Sequence, residues 1–196
     1  MIRLGNFNVV IDTCVLYDSH MRDILLSLAE KELYQPIWSE LICEELKKNI
    51  IKKGNIPEDK AVKLVKVINQ AFPEAMTISN KGILNLNDTN IDEKDRHVVT
   101  TAICSNAQVI VTYNIKDFPN ETLKRFSIEA QTPDIFLTNI LDLSFKTVLL
   151  VYEELEKKYK NPPISRTELL NRFKTKAPTF TSIISPYLDG SITRIY

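Results

Sequence analysis

Four acids, Asp12, Glu45, Asp95 and Asp117, each stand at the edge of an apolar segment rather than inside a solvated charge run. Asp12 closes Phe7-Asn8-Val9-Val10-Ile11, and Asp117 follows Val109-Ile110-Val111-Thr112 by a short turn. Carboxylates gathered by a fold repel one another, which raises some of their pKa values unless a cation joins them. Hard oxygen ligands of this kind suit magnesium or manganese, and a metal so held usually meets phosphate next. Metal-assisted phosphate chemistry is the expectation against which the rest of the chain is read.

Each acid also has a plainer explanation. A carboxylate directly after an apolar strand end must be solvated, paired or metal-bound, so Asp12 is the strongest single candidate. Spacing decides between Glu44 and Glu45. Glu45 lies three and four residues after Ile42 and Leu41 and shares their apolar helical face, whereas Glu44 shares a face with Glu40, Lys47 and Lys48, where ion pairing is sufficient. In Asp92-Glu93-Lys94-Asp95-Arg96-His97, Asp92 is expected to cap a helix. That leaves for chemistry Asp95, which precedes Val98, Val99, Ala102 and Ile103 at the spacing of one buried face. Asp117, taken alone, fits an Asx-turn before Pro119 better than it fits a site.

Other chemistries find little support. His20 and His97 are the only histidines, so a Ser-His-Asp or Cys-His mechanism could run only through His97, and no Ser or Cys has an obvious base partner. The four glycines form no phosphate-cradling loop. A haloacid-dehalogenase-like phosphatase needs a second Asp two residues after the first, and Cys14 stands there instead.

The elements that must position these acids alternate. Residues 7–12 read as a buried strand, and a helix is expected from about Met21 to Lys31. Gln35–Trp38 is a short strand, with Ser39 as N-cap of a helix reaching about Lys53. Gly54 and Pro57 end that helix, Glu58–Ala71 forms another, and Ala75–Ser79 is a further strand. An Asn-rich loop over Asn80–Asn90 leads to the helix capped by Asp92. Gln108–Thr112 and Phe126–Ala130 are strands, and Pro133 opens a short helix. This alternation argues for an α/β fold with a parallel sheet covered on both faces. Ligands in such sheets bind at carboxyl strand ends where the strand order reverses. From about Asp142 the pattern turns helical: Thr147–Lys160 and Thr167–Lys174 are helices separated by Asn161-Pro162-Pro163. The expected organisation is a domain over 1–141 and a helical extension, 142–196, packed on it.

Composition sets wide bounds. The chain has 196 residues, 44% of them apolar and 26% charged, enough to bury a core without disulfides. Lys plus Arg equals Asp plus Glu at 25 each, so bulk charge names no partner. From residue 151 onward eight basic residues face five acidic ones, a tilt that a solvated helical tail explains as well as an RNA-binding one. Cys14, Cys43 and Cys104 form no CxxC pair and are expected to be buried thiols in a reducing compartment. The N-terminus lacks the apolar core of a signal peptide, and no apolar stretch approaches the length of a membrane span. A cytoplasmic protein without a membrane partner is expected.

Four segments in order then become recognisable: Val-Ile-Asp12-Thr-Cys-Val-Leu, Glu45-Leu46 inside a helix, Asp95-Arg-His-Val-Val-Thr-Thr-Ala, and Ile-Val-Thr112-Tyr-Asn114-Ile-Lys-Asp117-Phe118. Together they resemble a PIN domain of the VapC-type toxin ribonucleases, over residues 7 to about 140. Trp38-Ser39-Glu40 and Asn161-Pro162-Pro163 are similar to a bacterial subfamily with a helical C-terminal extension. The resemblance implies a three-layer α/β/α fold with a central parallel sheet of four to five strands. It implies an Mg²⁺- or Mn²⁺-dependent endoribonuclease, with Asp12, Glu45, Asp95 and Asp117 as catalytic acids and Asp12, Asp95 and Asp117 on metal. The resemblance also offers Asp92 as an auxiliary acid, after these four. Asn114 falls where many members place another acid, so a two-metal mechanism is not expected to follow automatically. Lys47, Lys48, Lys52, Lys53, Arg96 and Lys116, with Asn114, are the candidates for holding RNA. An RNA substrate, a small antitoxin protein and a homodimer are the implied partners. A catalytically silent RNA- or protein-binding module and a non-toxic RNA-processing nuclease are the alternatives.

Overall fold

The computed structural model describes residues 7–78, 90–160 and 162–192. In chain order the elements are β1 (Asn8–Ile11), α1 (Thr13–Tyr17), α2 (Ser19–Glu30), β2 (Gln35–Ser39), α3 (Glu40–Gly54), α4 (Glu58–Ala71), β3 (Met76–Thr77) and α5 (Arg96–Cys104). There follow β4 (Val109–Val111), a 3-10 turn (Ile115–Asp117), α6 (Asn120–Lys124), β5 (Glu129–Gln131), α7 (Pro133–Lys158), α8 (Arg166–Lys176) and α9 (Pro178–Leu188). The described residues divide into two compact units. One takes Asn6–Asp18 and Tyr34–Thr132, and the other takes Ser19–Leu33 and Pro133–Tyr196. The sequence-based division at 141 and 142 was placed nine residues later, inside α7, and left α2 with the sheet.

The first unit is the expected parallel α/β structure. Its five strands are all parallel, in the order β3-β2-β1-β4-β5. Val10 faces Ile37 on one side and Ile110 on the other, which makes β1 the centre of the sheet. Val9, Val10 and Ile11 are fully buried, the reason this strand reads as a continuous apolar run rather than an alternating one. Pro36 is tolerated in β2 because β3 pairs only with Trp38 and Ser39, beyond the missing N–H. From β1 the chain builds outward through β2 and β3, then returns to build the other side through β4 and β5. The order reverses between β1 and β4, whose carboxyl ends carry Asp12 and the turn to Asp117.

Helices fasten to this sheet through specific contacts. Trp38 is buried, its ring meets Phe72 edge-on at 5.9 Å, and its indole N–H donates to Asn69 Oδ1 at 2.7 Å, which anchors α4. Ser39 occupies the N-cap of α3 as expected, but its hydroxyl does not cap. It accepts from Thr101 Oγ1 at 3.0 Å, tying α5 to the end of β2. The expected capping by Asp92 is corrected. Residues 92–95 form a turn first, with Asp95 N donating to Asp92 O at 2.9 Å, and the Asp92 carboxylate is taken by Lys94 N at 3.1 Å. Helix α5 therefore begins at Arg96 with Asp95 at its N-cap and no side-chain cap bond. Most of the expected Asn80–Asn90 loop lies outside the described residues, as do Ser79 and Asn161.

The second unit is helical. Helix α2 buries Met21, Ile24, Leu25 and Leu28 and packs on α7. Helix α7 also packs on α9, and α8 on α9. The short helix expected at Pro133 is found: α7 is two helices that meet at a kink at Ser144 (φ −161°, ψ 83°), the second running on to Lys158. Contrary to the sequence reading, α7 is long and apolar enough to cross a membrane by length and composition. Within its unit it buries Phe136, Leu137, Ile140, Val148, Val151 and Tyr152, as a core helix does. The sequence reading gave no helix over the stretch that forms α9. Pro178 sits in the first turn, where a missing N–H costs nothing, and Pro186 falls in the last. Asp134 Oδ1 accepts from Phe180 N at 2.9 Å and caps α9 from the start of α7.

Candidate active site

Asp12 leaves the central strand with its backbone N–H on Val111 O at 3.0 Å, so its position follows from the β1–β4 ladder. It is the N-cap of α1, yet its carboxylate makes no cap bond and is used elsewhere. Oδ2 accepts from Thr112 Oγ1 at 2.7 Å and from the Cys14 thiol at 3.1 Å. The residue is 6% exposed, and a carboxylate so deep needs such donors. Burial, then the charge on Asp12, pushes the Cys14 thiol up to about 12, so Cys14 stays protonated and acts as a donor rather than a nucleophile.

Glu45, on α3, points toward the same region. Its Oε2 accepts from Thr13 Oγ1 at 3.0 Å and lies 3.4 Å from His97 Nε2. The imidazole beside it, with help from Thr13 and Lys53, holds its carboxyl below the usual range against the opposing effect of burial. His97 Nδ1 is 2.7 Å from Lys94 O, a carbonyl that can only accept, so this nitrogen carries a proton. Nε2 then faces Glu45 in an ion-pair contact that falls short of hydrogen-bond geometry. Burial alone would lower the His97 pKa, but Glu45, the Lys94 carbonyl and Asp12 together raise it above the ordinary histidine value. Glu44, by contrast, pairs with Lys47 at 2.8 Å on the solvent side, as the helical spacing required.

Asp95 and Asp117 meet around a lysine. Lys94 Nζ lies 3.8 Å from Asp95 Oδ2 and 3.9 Å from Asp117 Oδ2. Asp117 is brought there by its turn, with its N–H on Asn114 O at 2.9 Å, and Asn114 N donates to Thr112 Oγ1 at 3.0 Å. Asp95 Oδ2 is buried without a hydrogen-bond partner. Burial raises the Asp95 carboxyl to about 6, Lys94 opposes the rise, and Asp117, Asp12 and Asp92 add to it. The four acids are thereby linked: Asp95 feels the charges of Asp117 and Asp12, and Glu45 joins through His97, which also feels Asp12.

The donor set is all hard carboxylate oxygen, and the unsatisfied Asp95 oxygen is the kind of atom a divalent cation satisfies. Among the described residues no three His, Cys, Asp or Glu side chains are set closely enough to cage an ion as they stand. The fit is thus one of chemistry and neighbourhood, with an ammonium at the centre. Lys48, Lys52, Lys53, Lys116 and Asn114 are exposed, while Lys47 is engaged by Glu44 and Arg96 Nε donates to Ile91 O at 3.3 Å. A separate groove of about 650 Å³ between α3, α4 and β3, lined by Glu40, Leu41, Val65, Met76 and Ile78 among others, includes none of the four acids. Sequence reasoning assigned no role to Thr13, Thr112, Lys94 or His97. The two threonines carry a local signal: Thr13 directly follows Asp12, and Thr112 directly follows the end of β4. Lys94 carries another, as the lone base among Asp92, Glu93 and Asp95.

Comparison with known proteins places the chain. Residues 133–186 match the VapC50 C-terminal domain. Over 89 residues the chain is 38% identical to VapC50 of Mycobacterium tuberculosis, whose name gives it the candidate activity of a ribonuclease. That match takes in 45% of this chain and 53% of the relative, so the chain spans about half the length of the curated relative it matches. The 2.2 Å structure of VapBC-1 from nontypeable Haemophilus influenzae is similar at a TM-score of 0.47 and 17% identity, over 65% of this chain and 98% of that one. Residues 8–116, more than half of the chain and all four acids but Asp117, match the PIN domain model, and the chain belongs to the PIN-domain family.

Proposed function

We propose that the chain is a metal-dependent endoribonuclease that hydrolyses RNA phosphodiester bonds and acts as the toxin of a type II toxin–antitoxin pair. The observation that carries this reading is the Asp95 carboxylate, with a buried oxygen that accepts no hydrogen bond and a pKa pushed up by burial and by Asp117 and Asp12. A divalent cation relieves both the burial cost and the repulsion. When bound, Mg²⁺ or Mn²⁺ supplies polarisation of the phosphate and a water of lowered pKa. Asp12 and Asp95 would hold that ion, and Asp117 would serve a second ion or its water ligands. Glu45 reaches the site through water or orients the nucleophile. Thr112 fixes the Asp12 carboxylate, and Thr13 with His97 fixes Glu45. Lys47, Lys48, Arg96, Lys116 and Asn114 position the RNA backbone. The match of residues 133–186 to the VapC50 C-terminal domain supports the toxin assignment. A small antitoxin protein as partner, a homodimer and residence in the cytoplasm belong to the same proposal.

The test is direct. Purified protein cuts single-stranded or structured RNA with Mg²⁺ or Mn²⁺, and Asp12→Asn and Asp95→Asn each abolish cutting with the fold intact by circular dichroism. Undiminished cutting in both variants, or in excess chelator, overturns the site. Growth arrest on expression, relieved by a co-encoded small protein, separates a toxin from a processing nuclease. Tight RNA binding without cutting under any metal would mark a silent binding module instead.

A further inference from the structure

The acid pocket already holds a cation of the chain's own. Lys94 Nζ is 3.8 Å from Asp95 Oδ2, 3.9 Å from Asp117 Oδ2 and 3.9 Å from Asp92 Oδ2. Three carboxylates from two separate segments surround one ammonium at nearly equal range. Direct charge-assisted hydrogen bonds run to about 2.7–2.9 Å, so this ammonium is a shared counter-ion rather than the partner of any one acid. The Lys94 side chain is 65% exposed, and its stem has solvent to turn into. Its backbone, in contrast, is pinned on both sides: Lys94 N donates to Asp92 Oδ1 at 3.1 Å, and Lys94 O takes His97 Nδ1 at 2.7 Å. Departure of the ammonium is therefore a side-chain rotation that leaves the turn, and the Asp95 N-cap beside it, in place.

We propose that Lys94 is a tethered competitor for the divalent cation: its ammonium neutralises the acid pocket when no ion is bound and is expelled when one enters. The inference rests on the reading of this pocket as a metal site. A divalent ion takes carboxylate oxygens at about 2.0–2.2 Å, and at that range from Asp95 Oδ2 it stands within a few ångströms of the present Nζ position. Two cations so close repel, and the same oxygens cannot satisfy both. The lysine thus sets how much free metal the protein needs before its pocket is loaded.

Mn²⁺ titrated into the metal-free full chain, followed by calorimetry and by the electron paramagnetic resonance of unbound Mn²⁺, tests this. Lys94→Met keeps the stem and deletes the charge, Lys94→Gln is a second neutral variant in case the first folds poorly, and Lys94→Arg keeps the charge. The neutral variants bind Mn²⁺ on the order of tenfold tighter than wild type, a gain that shrinks as salt screens the exposed ammonium, while Lys94→Arg stays near wild type. Thermal melting of the metal-free neutral variants falls, and the rise on adding Mn²⁺ grows. Equal or weaker Mn²⁺ binding by both neutral variants, with wild type binding normally, overturns the competitor and leaves the metal site standing. Folded wild type and neutral variants that all bind no Mn²⁺ overturn both.

Discussion

Thr112 Oγ1 donates a 2.7 Å hydrogen bond to Asp12 Oδ2, joining residues one hundred positions apart in the chain. The same hydroxyl accepts from Asn114 N at 3.0 Å. One fully buried oxygen thus locks the end of β1, the end of β4 and the turn that delivers Asp117 into a single arrangement.

Thr112→Val keeps the shape and deletes this junction. The buried Asp12 carboxylate loses a donor and Asn114 N loses its acceptor, so denaturant titration shows a loss of about 1.5–3 kcal/mol. RNA cleavage, or Mn²⁺ affinity, falls roughly 10–100-fold, the scale on which supporting partners of metal ligands act. Thr112→Ser retains most of both.

Metal binding tightens as pH rises through the Asp95 pKa of about 6. Below that value an entering ion must displace a proton, so the apparent Mn²⁺ affinity drops by nearly tenfold per pH unit and levels off above about pH 7. The folding side has the opposite sense. A carboxyl whose folded pKa lies above its unfolded value of about 3.9 binds its proton more tightly in the fold, so Asp95 makes the metal-free protein less stable as pH rises from about 4 through 6. Asp95→Asn flattens both trends in calorimetric titrations and melting curves.

The Glu45–His97 contact stabilises the fold over a window set by both partners. His97, raised in the fold, contributes fully below its unfolded value of about 6.5, and that contribution is lost as pH rises through the folded pKa. Glu45, lowered in the fold, contributes above its unfolded value of about 4.3 and loses that contribution as pH falls through its folded pKa. Melting temperatures of His97→Gln measured from pH 4 to 9 therefore lose the decline that wild type shows as pH rises from about 6.5 through the raised His97 pKa.

In the helical unit, Asp134→Ala removes the oxygen that caps α9 at Phe180 N. The expected cost is about 1 kcal/mol, as for other N-cap losses, read as a shift of the denaturation midpoint, with Asp134→Asn close to wild type.

Much of this was legible in the chain because the relevant signals are local. The continuous apolar runs at Val9–Ile11 and Val109–Val111 foretold strands buried on both faces, and helical phase separated Glu45 from the solvent-side Glu44–Lys47 pair. Asp92 misled because its spacing to Asp95 imitates a capping box, while the backbone spends those residues on a turn. Helix α9 carries Pro178 and Pro186, and a proline at either end of a helix looks the same in sequence as one that ends it. The Thr112–Asp12 bond and the Lys94 counter-ion depend on register and on side-chain reach between distant segments, which periodicity does not encode.

Helix α2 lies near the start of the chain yet packs on α7, which begins at Pro133. During synthesis its apolar face, with Ile24, Leu25 and Leu28, leaves the ribosome long before the helices of its own unit exist to receive it. The boundary that divides the chain at Pro133 is consequently not a place to cut it. A fragment ending at Thr132 would keep every acid of the pocket and still carry an orphaned, sticky helix, because α7 is what covers the apolar face of α2.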